Sequence, residues 1–63
     1  MPTAVHLTDG TSVDVDQEPE EIRHLLTEDL RRREPFTTLR EHDTGGEIWV
    51  NASAIVLLRP LPG

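Results

Sequence analysis

The sequence predicts one small α+β domain, with elements in the order β-β-α-β-β-β and an antiparallel sheet covered by a single helix. Three observations predict it. Apolar residues alternate with polar ones in two pairs of short runs, Val5 and Leu7 with Val13 and Val15, then Leu39 with Ile48 and Val50. Between the pairs, Ile22, Leu25, Leu26 and Leu30 recur at helical spacing. The chain has 63 residues, too few for two domains or for a domain with a deep catalytic cleft, so residues 1–63 are read as one domain.

Residues 4 to 16 form the first hairpin, with Asp9-Gly10 between its strands. A two-residue loop there would set Leu7 opposite Ser12 and Val5 opposite Asp14, which mixes apolar and polar side chains on one face. A three-residue loop, Thr8-Asp9-Gly10, sets Val5 opposite Val13 and Thr3 opposite Val15, with Gly10 in the left-handed position. That register yields one apolar face and is the expected one.

The segment Asp16-Gln17-Glu18-Pro19-Glu20-Glu21 places acids and a proline where a helix begins. Ile22, Leu25, Leu26 and Leu30 form one stripe, while Glu20, Arg23, Thr27 and Arg31 fall on the other side. Arg31-Arg32-Arg33 stands at the negative end of the helix dipole, Glu28 with Arg32 and Asp29 with Arg33 have ion-pair spacing, and Pro35 stops the helix. Phe36 to His42 and Glu47 to Asn51 then form a second hairpin around Asp43-Thr44-Gly45-Gly46. Asn51-Ala52-Ser53 reads as a turn or a single 3₁₀ turn, followed by a last strand from Ile55 to Arg59. Pro60 and Pro62 end order, leaving residues 60–63 as a frayed tail.

The last strand breaks the pattern. An antiparallel sheet with one wet face shows alternation, yet Ile55, Val56, Leu57 and Leu58 are apolar without a gap. One helix covers one side of a sheet, and Trp49, out of phase with Ile48 and Val50, falls on the far side. Each aliphatic side chain left in water forgoes ~1.5–3 kcal/mol, a large share of the ~3–5 kcal/mol that a lone core of this size supplies. Two arrangements remove the difficulty. In the first, copies associate as a homo-oligomer, at least a dimer, burying Trp49, Val56 and Leu58. In the second, the sheet curls into a small closed barrel with an inserted helix; in element order, five short strands with a 3₁₀ turn before the last, the chain resembles SH3-like and Sm-like barrels, and this likeness of order carries no function with it.

Twelve acidic residues stand against six basic ones, all Arg, for a net charge of −6, which disfavours phosphate backbones as partners. With no cysteine, disulfides, thiolate catalysis and cysteine-bound zinc are excluded. No run approaches the ~20 apolar residues of a membrane span, and Met1 to His6 lack the features of a signal peptide, so no membrane association and a cytoplasmic location are expected.

Residues capable of chemistry read as surface or turn residues. His6, His24 and His42 lie 18 residues apart in each step, which matches no compact metal-ligand pattern. His42-Asp43 lacks a second partner at useful spacing for acid–base work. Asn51-Ala52-Ser53 fits a glycosylation acceptor but reads as a turn cap, and neither Asp9-Gly10 nor Gly45-Gly46 continues into a phosphate-binding loop. No cofactor, no metal and no enzymatic activity are expected. Arg31, Arg32 and Arg33, with Arg40, form the one basic concentration and the candidate contact for nucleic acid or an acidic partner. Two functions are consistent with these residues: a noncatalytic, self-associating module that also binds another protein, and an oligomeric nucleic-acid-associated regulator that pools the Arg clusters of several copies.

Overall fold

The first hairpin takes the register that gives one apolar face. The computed structural model describes residues 1–62. Strands β1 (Thr3–Leu7) and β2 (Ser12–Val15) pair antiparallel with Val5 opposite Val13 and Thr3 opposite Val15. The loop is Thr8-Asp9-Gly10, closed by the Leu7 N–H donating to the Thr11 carbonyl at 2.9 Å, and Gly10 takes φ +89°, which a Cβ would strain. Asp9 Oδ1 accepts from the Thr11 hydroxyl at 2.6 Å and from its amide at 2.9 Å, and these bonds hold the Asp9 carboxyl below its ordinary pKa.

Helix α1 (Pro19–Arg31) begins with Pro at its first position and Glu20 and Glu21 in its first turn. Its stripe is buried unevenly. Ile22 is fully buried, Leu25 and Leu26 half-buried, and Leu30 is 79% exposed. The expectation that Leu30 joins the core is therefore corrected: eight residues at 3.6 per turn rotate it about 80° from Ile22, past the edge of the sheet it was to cover. Nor do the expected pairs of Glu28 with Arg32 and Asp29 with Arg33 form. Glu28 faces Arg31 at 3.9 Å, and Asp29 Oδ2 accepts from the buried Thr37 hydroxyl at 2.7 Å. The helix ends in a left-handed turn at Arg33 (φ 60°), with the Glu34 N–H donating to the Asp29 carbonyl at 2.8 Å and the Arg33 N–H to the Leu30 carbonyl at 3.1 Å.

Strands β3 (Phe36–Arg40) and β4 (Glu47–Asn51) form the second hairpin, in a register running from Phe36 opposite Asn51 to Arg40 opposite Glu47. β3 stops at Arg40 instead of His42. Beyond Arg40 the hairpin closes with the Glu41 N–H donating to the Gly46 carbonyl at 2.8 Å, and the other edge touches β2, where Glu41 bridges Val15, Asp16 N–H donates to the Arg40 carbonyl at 2.9 Å, and His42 N–H donates to the Asp14 carbonyl at 2.8 Å. A 3₁₀ turn (Ala52–Ala54) follows, capped by Asn51 Oδ1, which accepts from Ser53 N–H at 2.9 Å and Ser53 Oγ at 2.7 Å.

Strand β5 (Ile55–Pro60) pairs antiparallel with β1. Pro60 belongs to this strand opposite Thr3, and Leu61 N–H donates to the Pro2 carbonyl at 2.9 Å, so the expected frayed tail begins no earlier than Pro62; Gly63 lies outside the described residues. Proline is tolerated there because it closes the strand and needs no ladder donor. The strands form two sheets, β2-β1-β5 and β3-β4, joined by the Val15–Glu41 bridge. β1 thus neighbours β2, β2 meets β3 through one bridge in place of a full ladder, β3 pairs with β4, and β5 returns to β1 on its other edge, which is the course of a curled sheet left open between β4 and β5.

Between the sheets and the helix lie Val5, Val15, Ile22, Leu39 and Val50, flanked by Leu7, Val13, Leu25, Leu26, Ile48, Ile55 and Leu58. Each fully buried aliphatic contributes ~1.5–3 kcal/mol before the cost of ordering the chain. The two buried threonines are satisfied, Thr37 by Asp29 and Thr3 by donating to the Gln17 carbonyl at 2.7 Å.

Candidate functional site

The continuous apolar run of β5 is resolved by a β-bulge. Leu7 lies opposite Ile55 but His6 opposite Leu57, so Val56 is an extra residue, and Val5 then lies opposite Leu58. Ile55 and Leu58 both pack on the core, while Val56 (60% exposed) and Leu57 (39%) both face outward. Strict alternation would have put Val56 with Leu58 outside. Leu58, expected in an oligomer interface, instead shelters inside its own subunit, and Leu57 takes its place on the outer surface.

No such device operates on β4. Thr37, Leu39, Ile48 and Val50 point inward, which leaves Phe36, Thr38 and Arg40 of β3 and Glu47, Trp49 and Asn51 of β4 on the outer face. Trp49 is 70% exposed and Phe36 53%. These are the only aromatic residues of the chain, and neither enters the core. They are diagonal neighbours across the hairpin, since Phe36 pairs with Asn51 two residues from Trp49. The indole N–H donates to Glu47 Oε1 at 3.2 Å, which fixes the ring's polar edge and leaves its faces open. Sequence reasoning singled out Trp49 and missed Phe36, although the signal was there: once Leu39 faces the core, Thr37 does too, and Phe36 must face away.

An open groove of about 510 Å³ adjoins this face, lined by Leu26, Leu30, Pro35 and Ala52 with Glu34, Asn51 and Ser53. Its polar lining is largely committed elsewhere, because Asn51 and Ser53 bond to each other. Pro35 and Asn51 connect it directly to Phe36, the first by sequence and the second by pairing.

The arginines do not converge. Arg31, Arg32 and Arg33 are exposed at the end of α1, whereas Arg40 stands at the far end of β3, about 13 Å of strand beyond Phe36. Arg40 is further tied to the β3–β4 turn, its Nη1 donating to the Gly45 carbonyl at 2.9 Å. The histidines are likewise dispersed, and no group of three metal-ligating side chains forms among the described residues. His42 does acquire the partner that its sequence neighbours lack: Nδ1 lies 2.6 Å from Asp16 Oδ1. That hydrogen bond raises the His42 pKa above 6.5, opposed by partial desolvation and aided by the charges of Asp16, Asp43 and Asp14. Both side chains are exposed, and the pair joins the β3–β4 turn to the end of β2.

No helix of the described residues is long and apolar enough to cross a membrane. The chain matches no protein-family model, and no curated protein or solved structure is significantly similar to it.

Proposed function

We propose that this protein is a noncatalytic interaction module that acts through association with copies of itself. One observation carries the reading: a chain with two aromatic residues spends neither on its core and exposes both on one face of one hairpin. Aromatics are the largest apolar payload available to a small fold, and aromatic residues are the ones enriched where proteins meet. A core of five buried aliphatics is correspondingly small, and association is the remedy open to a chain without disulfides. The groove offers one titratable side chain, Glu34, which supports a binding role over a catalytic one.

The nucleic-acid reading has weaker support, because its four candidate arginines are split between two ends of the molecule and the whole carries a net charge of −6. Sedimentation equilibrium across micromolar concentrations tests the proposal. A mass rising from 7.1 kDa to at least twice that value is expected, and a folded species that stays at 7.1 kDa throughout would overturn it.

A further inference from the structure

We infer that the outer face of the β3–β4 hairpin is the seat of a second copy of this chain, in a two-fold, face-to-face dimer centred on Trp49. The inference rests on the self-association reading and names the surface that reading leaves open. Charge selects the occupant. Of the six outward residues, Arg40 and Glu47 cancel, so the face is neutral while the net charge of −6 resides wholly on the rest of the molecule. Two copies of so acidic a chain repel each other over most approaches, whereas on this neutral face the one carboxylate, Glu47, has an arginine, Arg40, to meet.

The cross-strand order supplies complementarity as well. A two-fold axis running along the strands lays β3 of one copy over β4 of the other. Arg40 then faces Glu47 of the second copy, twice over, and Trp49 faces the small Thr38. Such an isologous contact needs only the pairs already opposite each other within the hairpin. The outward pair on β5, Val56 and Leu57, offers less: it holds no aromatic, and it lies beside His6 and Arg59.

Area then sets the extent of the contact. A stable interface buries about 800 Å² per copy, close to a fifth of the 4436 Å² exposed by this chain. Two aromatics supply at most ~150–250 Å² each, so the contact must spread from the hairpin across Pro35 to the groove edge, where Leu30 stands almost free. Leu30, which the helical rotation leaves off the core, would then gain cover.

Sedimentation equilibrium of the native chain beside Trp49→Thr and Leu57→Thr, each checked for folding by circular dichroism, tests the placement. Trp49→Thr is expected to raise the dissociation constant about tenfold or more, and Leu57→Thr to change it by less than about threefold. Arg40→Glu is expected to weaken association and its combination with Glu47→Arg to restore it; failure of the double variant to recover overturns the two-fold arrangement. Should Trp49→Thr fail to fold, the native chain still decides, because Trp49 is its only tryptophan. Its emission must shift to the blue over the same concentrations at which the mass doubles. A doubling mass with unchanged emission, or an association indifferent to Trp49→Thr, overturns this surface while leaving self-association standing, whereas a chain that never associates removes both.

Discussion

The two sheets sort their apolar residues by different rules. In the three-stranded sheet β2-β1-β5, a bulge at Val56 breaks the alternation, so that Leu58 joins Ile55 on the core while Val56 and Leu57 stay outside. The two-stranded sheet β3-β4 keeps strict alternation, and both aromatics stay outside. An isolated hairpin is marginal in water, and this one leans on α1 through Leu39, Thr37 and Val50 while its other face has no cover. The lesson concerns phase. A run of apolar residues does not say which side chains lie outside until the register that sorts it is known, whereas a large side chain out of phase with two core residues on a regular strand is placed outside by phase alone.

The sharpest way to break this comparison is to exchange the roles it assigns. Leu58 and Trp49 both read as interface residues in the sequence, and the register separates them. Leu58→Ala is expected to lower folding stability by about 2 kcal/mol, at the small end of the range for Leu-to-Ala changes because the site is only half-buried. It should leave association through β3–β4 intact once folding is accounted for. Trp49→Thr is expected to change monomer stability by no more than about 0.5 kcal/mol while acting on association. Urea unfolding of both variants, at concentrations below the association range, checks the pair. Equal losses of stability would erase the distinction between the two sheets.

Much of the architecture was legible because each local signal had a single solution. The first hairpin's register followed from requiring one apolar face, and the helix start followed from Pro19 among acids; both stand in the structure. Three features were not legible, for separate reasons. A bulge leaves no mark on composition, so Leu57 could not be told from Leu58 as an outward residue. The burial of Leu30 depended on how far the sheet extends beneath the helix, which helical spacing alone does not contain. The division into two sheets arises because β2 and β3 meet at a single bridge, Val15 with Glu41, and how far two distant strands run side by side is a long-range property that no local pattern contains. The proposed surface was legible in one respect: the outward position of Trp49 follows from phase, and that of Phe36 could have been found in the same way.

The connection between helix and hairpin admits a smaller test. Arg33 occupies the left-handed position that ends α1, with φ 60°, where a Cβ is unfavourable by ~1–2 kcal/mol and glycine is the usual occupant. The sequence assigns the stop to Pro35, but the hydrogen bonds from Arg33 and Glu34 show that the turn is closed before the proline is reached. Arg33→Gly is expected to stabilise the fold by about 0.5–1 kcal/mol, the relief of strain being partly offset by the added freedom of the unfolded chain. Thermal unfolding would register this as a rise in the midpoint. An unchanged or lower midpoint would mean that the Arg33 side chain makes contributions at the helix end that outweigh its backbone strain.

The smallest expected effect lies at the junction of the two sheets. His42 and Asp16 meet across the one bridge that joins them, flanked by Asp14, Asp43 and Glu41. The hydrogen bond to Asp16 favours the protonated imidazole, so the folded-state pKa of His42 is raised above the 6.5 of the unfolded chain. A group raised in this way binds its proton more tightly when folded. Its contribution is fully present below pH 6.5 and is lost as pH rises through the higher folded-state value. Exposure of both side chains keeps that contribution small and makes it sensitive to salt. Proton NMR of the His42 ring should give a midpoint above 6.5 that falls back toward it in Asp16→Asn. The same substitution should flatten the decline in stability as pH rises above 6.5. If the ring titrates identically with and without the Asp16 carboxylate, the two sheets are held together at this point by the backbone bridge alone.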